Sequence, residues 1–324
     1  SGIYMGSNEL IRNMSFVDEQ NGWAVGHRGS ILHTTDAGLT WEVQHTDKGV
    51  YLRDISFADL NNGWAVGHDT HIWHTTDGGK TWQNQQLTGF EGRDLPRLHG
   101  VIAKDANTAI LVGEFGMVAH TENAGGLWLV SYNADAGTLL SIAQQGDTAI
   151  AVGLDGGIFA LMVATADQRA EVVKVRAAKQ AKLISRAMRK AKRRKKEYVP
   201  LEFEDIPETQ MDLHVSKIDS GTTEHLYDVT ESNGSVIAVG ASSLLKISVK
   251  QRESVVVSLV PAEGFPLPFV WMGGVSVTPS GDVWAAGLRG MIVKGSASDM
   301  TFGMKLNIAA PGAVKLVSNR WGEK

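Results

Sequence analysis

Three arginines recur at one place in the chain's internal pattern. Counting back fourteen residues from Gly26 and Gly67 reaches Arg12 and Arg53, and Arg97 lies four before Val101 as the other two lie four before Phe16 and Phe57. A guanidinium is planar, permanently charged and presents a fork of donors, so three on one rim suit carboxylates on a partner. The competing reading pairs them with nearby acids such as Asp54 and Asp94. Histidines offer a metal as the next chemistry: His68, His71 and His74 lie three apart, with His27 and His33 in the corresponding earlier stretch. A strand, turn and strand do not easily converge three imidazoles on one ion without a carboxylate, and His74 only repeats His33. Structural or surface histidines are therefore expected, with no metal and no cofactor. The chain has no cysteine, which excludes disulfides, thiolate metal sites and cysteine nucleophiles. Of the tyrosines Tyr4, Tyr51, Tyr132, Tyr198 and Tyr227, none has an obvious Glu or Arg beside it at a repeated position, so no catalytic residue is assigned.

A second concentration of charge is basic. Residues Asp167–Glu197 hold 13 Lys/Arg against 3 Asp/Glu, leaving 18 against 32 elsewhere, so an acidic body carries one cationic segment. Between Ala166 and Glu197 there is no Gly or Pro, and Val173, Ala177, Ala181, Ile184, Met188 and Ala191 recur at helical spacing. The expected element is a helix with a narrow, alanine-rich apolar stripe, ended by Pro200 and followed by the acids Glu202, Glu204, Asp205, Glu208 and Asp212. Arg186, Arg189, Lys190, Arg193 and Arg194 are its candidate partner-binding residues. The segment has four readings: a solvated helix folded back on the acidic body, a helix that docks on a membrane-protein subunit, a binder of anionic head groups, or a nucleic-acid binder. The last is disfavoured because the basic run lacks interleaved aromatics and the remainder of the chain is acidic.

The elements that must position these residues are short strands. Gly-Trp-Ala-Val-Gly at 22–26 returns at 63–67, and weaker copies place Gly113, Gly153, Gly240 and Gly287 at equivalent points. The repeat is about 42 residues, with one longer interval that absorbs the basic insertion. Each copy reads as four strands, and four strands per repeat of this length match a propeller blade. The expectation is an all-β propeller of six to seven four-stranded blades with one inserted basic α-helix. Residues 1–164 would form blades 1–4, residues 165–209 the helical insertion and acidic linker, and residues 210–324 the remaining blades. Ile3–Met5 and Ala313–Ser318 are candidates for a closing blade shared by the termini. No stretch of eighteen uncharged apolar residues occurs, so neither a transmembrane helix nor an export signal is expected within this chain.

The turns Thr35–Trp41 and Thr76–Trp82 resemble the Asp-box of bacterial neuraminidase repeats. Asp36, Gly38, Trp41, Asp77, Gly79 and Trp82 are read as structural: the aspartate bonds its own turn, the glycine supplies permissive dihedrals, and the tryptophan plugs between strands. Joined to the preceding Gly-Trp-Ala-Val-Gly, the pattern resembles the photosystem II assembly and stability factor family of cyanobacteria and plants, with its relatives in non-photosynthetic bacteria. The resemblance implies a non-catalytic scaffold that docks on a membrane-protein complex, peripheral to a membrane and outside the cytoplasm, in the periplasm or a lumen. It also implies an arginine patch for the partner. Candidate partners are a photosystem-like assembly or a transporter of the resistance-nodulation-division type, with an anionic membrane surface in addition. The alternative is a carbohydrate-binding or sialidase-like propeller, which would need three arginines with a Tyr and a carboxylate around the central channel.

Overall fold

In the computed structural model, the residues described are 10–87, 95–133, 135–164, 166–193, 198–201, 213–232, 234–251, 254–259, 271–278, 280–287, 291–296 and 302–307. They form six antiparallel four-stranded sheets, each with its strands in chain order. The first strands, Ile11–Phe16, Leu52–Phe57, Leu98–Ala103, Leu139–Gln145, Leu226–Ser232 and Met272–Val277, pack each against the next from the first sheet to the sixth. The sheets are therefore blades, and their first strands line a central channel. The repeat spacing thus corresponds to a β-propeller of six described blades with one helix. The termini proposed to close the ring, together with Asp94 and the acids at 202–212, lie outside the described residues.

One steric fact explains the recurring glycines. Gly26, Gly67, Gly113, Gly153, Gly240 and Gly287 each pair with the first residue of their blade's inner strand. A Cβ at any of them would fall inside contact distance of the carbonyl oxygen of the preceding residue: Leu10, Tyr51, Arg97, Thr138, His225 or Trp271. Only glycine allows that approach. At the same place each pairing slips by one residue, so every inner strand carries a bulge just after its start. A bulge leaves a residue out of the ladder and re-aims its side chain.

The second strands of blades 1 to 5 are buried end to end, as in Gly22–Gly26 and Gly63–Gly67. Trp23 stacks on His33 in its own blade at 4.5 Å and on Phe57 of the next blade at 3.6 Å, and Trp64 stacks on His74 at 4.2 Å. His33 and His74 are thus packing partners of tryptophans. Trp64 also joins Leu98, Leu111 and Trp128 in a core between blades 2 and 3.

The turns joining third to fourth strands hold themselves. Asp36 accepts from Thr34 Oγ1 at 2.8 Å, Thr40 N at 2.8 Å and Thr40 Oγ1 at 2.6 Å, while Asp77 repeats the set with Thr75 and Thr81. These bonds hold both carboxyls below the ordinary aspartate range, that of Asp36 chiefly through Thr40. Gly38 and Gly79 take positive φ, and half-buried Trp41 and Trp82 stand edge-on to Phe16 and Phe57. Blade 3 carries the same turn with Asn123 in the aspartate's place, accepting from Thr121 Oγ1 and Leu127 N. Gln44 donates to Gly78 O at 2.9 Å and Gln85 to Ala124 O at 2.6 Å, so these turns also tie adjacent blades.

In blade 4 this same connection is the insertion. The third strand Ile158–Val163 and fourth strand Leu213–Ile218 pair without interruption, with Val163 opposite Leu213. Helix Ala166–Arg193 leaves from that end, and among the described residues no strand packs along it. Its 28 residues give a rod of roughly 42 Å. No helix among the described residues is long and apolar enough to cross a membrane.

Candidate functional site: the channel mouth

The residues that the six bulges release are Arg12, Arg53, His99, Leu140, Tyr227 and Gly273, and all line one cavity of about 750 Å³ on the propeller axis. The arginines thus face the channel mouth. Blades 1 to 3 make its cationic half. Arg53 Nη1 stands 3.1 Å from His99 Nδ1. Burial, then the Arg53 charge, depresses His99 to about 3, so its neutral ring accepts from the guanidinium. Arg53 itself is pulled down by burial and then by repulsion from Arg12 and Arg97. Three guanidinium groups therefore raise one field, and Glu114 partly offsets it.

Arg97 reaches this field by another route than the spacing implied. Phe57 pairs with Gly63 and Ala103 with Ala109, so Ala103, rather than Val101, is the equivalent of Phe57. Arg97 consequently precedes its inner strand, in register with Leu10 and Tyr51, and His99 takes the position of Arg12 and Arg53. Arg97 is half exposed, with Nη1 3.5 Å from Glu114 Oε1. Its own N–H donates to Glu114 Oε2 at 3.0 Å. His99 and Tyr227 were not singled out from sequence, although a count of fourteen back from Gly113 lands on His99.

Blades 4 to 6 make the other half apolar and aromatic. Leu140, Tyr227, Gly273 and Trp284 line that half, with Ser141, Asp228 and Ser276 among them. Tyr227 packs on His225 at 6.3 Å and on Trp271 at 6.0 Å, with Trp271 half exposed. A mirror set runs over blades 1 and 2, where Tyr51 lies between His27 at 5.2 Å and His68 at 5.5 Å. Burial, then Arg53 and Arg97, keeps His68 below the usual histidine range. Among the described residues, no group of three or more potential ligands could hold a metal.

Two carboxylates stand one residue deeper. Asp54 accepts from Asn13 of blade 1 at 2.5 Å, from its neighbour Ile55 N at 2.8 Å and from Val101 N of blade 3 at 2.7 Å. Asp228 does the same with Ser141 of blade 4, Val229 N and Val275 N of blade 6, at 2.8–2.9 Å. Each ties three blades. Burial raises both, Asp54 to about 7 against its three donors. Their oxygens are committed to these blade-to-blade bonds. Among the described residues no tyrosine hydroxyl bonds a carboxylate, the couple that a sialidase uses, and Tyr227 packs on aromatic rings.

The basic helix is at the other end of the blades. Third strands run away from the marker glycines, so the end at Val163 is opposite the channel mouth lined by Arg12 and Arg53. Arg186, Arg189, Lys190 and Arg193 recur at helical spacing and line one cationic face. Arg194 lies outside the described residues.

The fold and its mouth define a β-propeller whose inner bulges carry Arg12 and Arg53 on one side of the channel and Leu140, Tyr227 and Gly273 on the other. The family profile for the photosynthesis system II assembly factor YCF48 matches residues 2–251. The chain belongs to that family, whose members are assembly factors without catalysis of their own, and it is accordingly a non-enzyme. Among solved structures, the protein described as "YCF48 bound to D1 peptide" superposes with a TM-score of 0.61 at 18% identity, covering 94% of this chain and 85% of that one. YCF48 from Cyanidioschyzon merolae gives a TM-score of 0.60 at 17% identity, covering 93% of this chain and 86% of that one. Both show the shared propeller fold. No curated protein matches.

Proposed function

We propose that this propeller serves the assembly of a membrane-protein complex by holding an acidic segment of a subunit in its channel mouth. The observation that carries the reading is the convergence of Arg12, Arg53 and Arg97, from three consecutive blades, on one partly buried field. A carboxylate entering there gains charge-assisted bonds, the deepest of them to half-buried Arg53, while the wall of Tyr227 and Trp284 receives apolar parts of the same segment. A relative bound to a D1 peptide supports a photosystem-like complex over a resistance-nodulation-division transporter as the partner class. The family supports a peripheral place outside the cytoplasm.

The helix supplies a second contact on the opposite end, its face of Arg186, Arg189, Lys190 and Arg193 meeting an anionic membrane surface. The remainder of the chain, acidic overall, would be repelled by that surface, so the helix decides which end approaches it. The docking reading is tested with a fluorescent synthetic peptide bearing paired glutamates. Arg12→Glu with Arg53→Glu should weaken binding by about tenfold or more with the fold retained. Unchanged affinity in that variant defeats it.

A further inference from the structure

We propose that Phe115 is a specificity anchor, held out next to the Arg97–Glu114 pair to grip an apolar side chain of the acidic segment. The proposal rests on the docking reading above and names the sequence class it selects: an acidic residue with a large apolar residue close by.

In each blade where the turn after the marker glycine is described, its second residue adopts the left-handed backbone. These residues are Arg28 (φ 56°), Asp69 (φ 53°), Phe115 (φ 60°), Asp155 (φ 55°) and Ser242 (φ 55°). Aspartate and serine are short and polar, and aspartate tolerates that region because its side chain bonds locally. Phenylalanine has no such compensation and is disfavoured there. Burial does not offset the strain, since Phe115 is 65% exposed.

Mobility does not relieve it either, because the turn is clamped on both sides. Glu114 N donates to Arg97 O at 3.0 Å and Glu114 Oε2 accepts from Arg97 N at 3.0 Å. On the other side Gly116 N donates to Gly137 O at 2.6 Å and Gly116 O accepts from Asn133 N at 3.0 Å. A strained, rigid and solvent-facing aromatic is poor for stability, and strain of this kind collects where a ligand is gripped. Its position identifies the ligand. Phe115 follows directly on Glu114, whose carboxylate pairs with Arg97, so the aromatic turn is tied to an arginine at the same end of blade 3. Tyr51 and Leu95, both partly exposed, flank the same end of blades 2 and 3. Cationic charge complements an acidic segment, and the ring adds a requirement that charge alone does not impose.

The test separates strain from grip. Two synthetic peptides are compared, one with paired glutamates followed closely by leucine and one with alanine in place of that leucine. Phe115→Asn should raise the melting temperature by relieving the backbone, and should weaken the leucine peptide by about tenfold while leaving the alanine peptide unchanged. Phe115→Gly should weaken the leucine peptide in the same way. A lowered melting temperature in Phe115→Asn would make Phe115 a structural residue and overturn the proposal. Equal affinities of wild type and variant for the leucine peptide would overturn it too. Weaker binding to phosphatidylglycerol vesicles with unchanged peptide binding would assign the ring to a bilayer instead. If Arg12→Glu with Arg53→Glu abolishes binding and Phe115→Asn does not, only the anchor fails. If the arginine variant binds both peptides normally, the docking reading itself fails.

Discussion

At the scale of single residues, the inner-strand carboxylates show how the channel is held open. Asp54 is wholly buried, and its pKa near 7 lies above its value of 3.8 in an unfolded chain. The contribution of a group raised in this way is fully present below pH 3.8 and is lost as pH rises through about 7. The unfolding free energy should therefore fall between about pH 4 and pH 7, as followed by urea titration at each pH. Asp54→Asn should flatten that fall, while costing some stability because an amide group cannot accept from all three donors. The turn aspartates behave in the opposite sense. Asp77 is held below its ordinary value, so what it contributes is present above the unfolded pKa and lost in acid. Asp77→Ala should lower stability by roughly 1 kcal/mol through the amides and hydroxyls it leaves unpaired. Peptide affinity should stay unchanged, since the turn lies at the end of the blade away from the mouth; a selective loss of binding would give the turn a functional role.

At the scale of elements, the blade pattern could be read because it is local. Gly-Trp-Ala-Val-Gly reports a buried strand and a close backbone approach within a few residues, and the marker glycines occupy one structural place in all six blades. The site was harder to read because a bulge breaks the alternation that spacing arguments use. Counting from Val101 misplaced Arg97 by two residues, and the substitution of Ala109 for the glycine of earlier blades removed the cue that would have corrected it. Tyr227 was passed over for a different reason: Arg12 and Arg53, which line the same cavity, are remote from it in sequence. The helix was legible from composition, while the end of the blade from which it leaves depends on strand order. Because Val163 pairs with Leu213, replacing residues 165–211 with a short Gly/Ser turn closes an ordinary hairpin. The shortened protein should melt within a few degrees of the full chain and lose binding to phosphatidylglycerol vesicles in a sedimentation assay. A large drop in melting temperature would show that the helix belongs to the propeller core.

At the scale of the whole molecule, the two cationic surfaces lie at opposite ends of the blades and serve different contacts. The mouth joins a partly buried arginine field to an aromatic wall, whereas the helix offers exposed point charges on a rod. Salt should separate them: vesicle binding through the helix should fall steeply with ionic strength, and peptide binding at the mouth should fall less because Arg53 is half-buried. The central claim is that an acidic segment binds in the mouth. It is tested most directly by cross-linking a paired-glutamate peptide that carries a photoreactive group and mapping the products by mass spectrometry. The account predicts adducts on inner-strand residues around Arg53, Tyr227 and Trp271, lost in Arg12→Glu with Arg53→Glu. Adducts confined to helix Ala166–Arg193 or to the Thr34–Trp41 turn would contradict it.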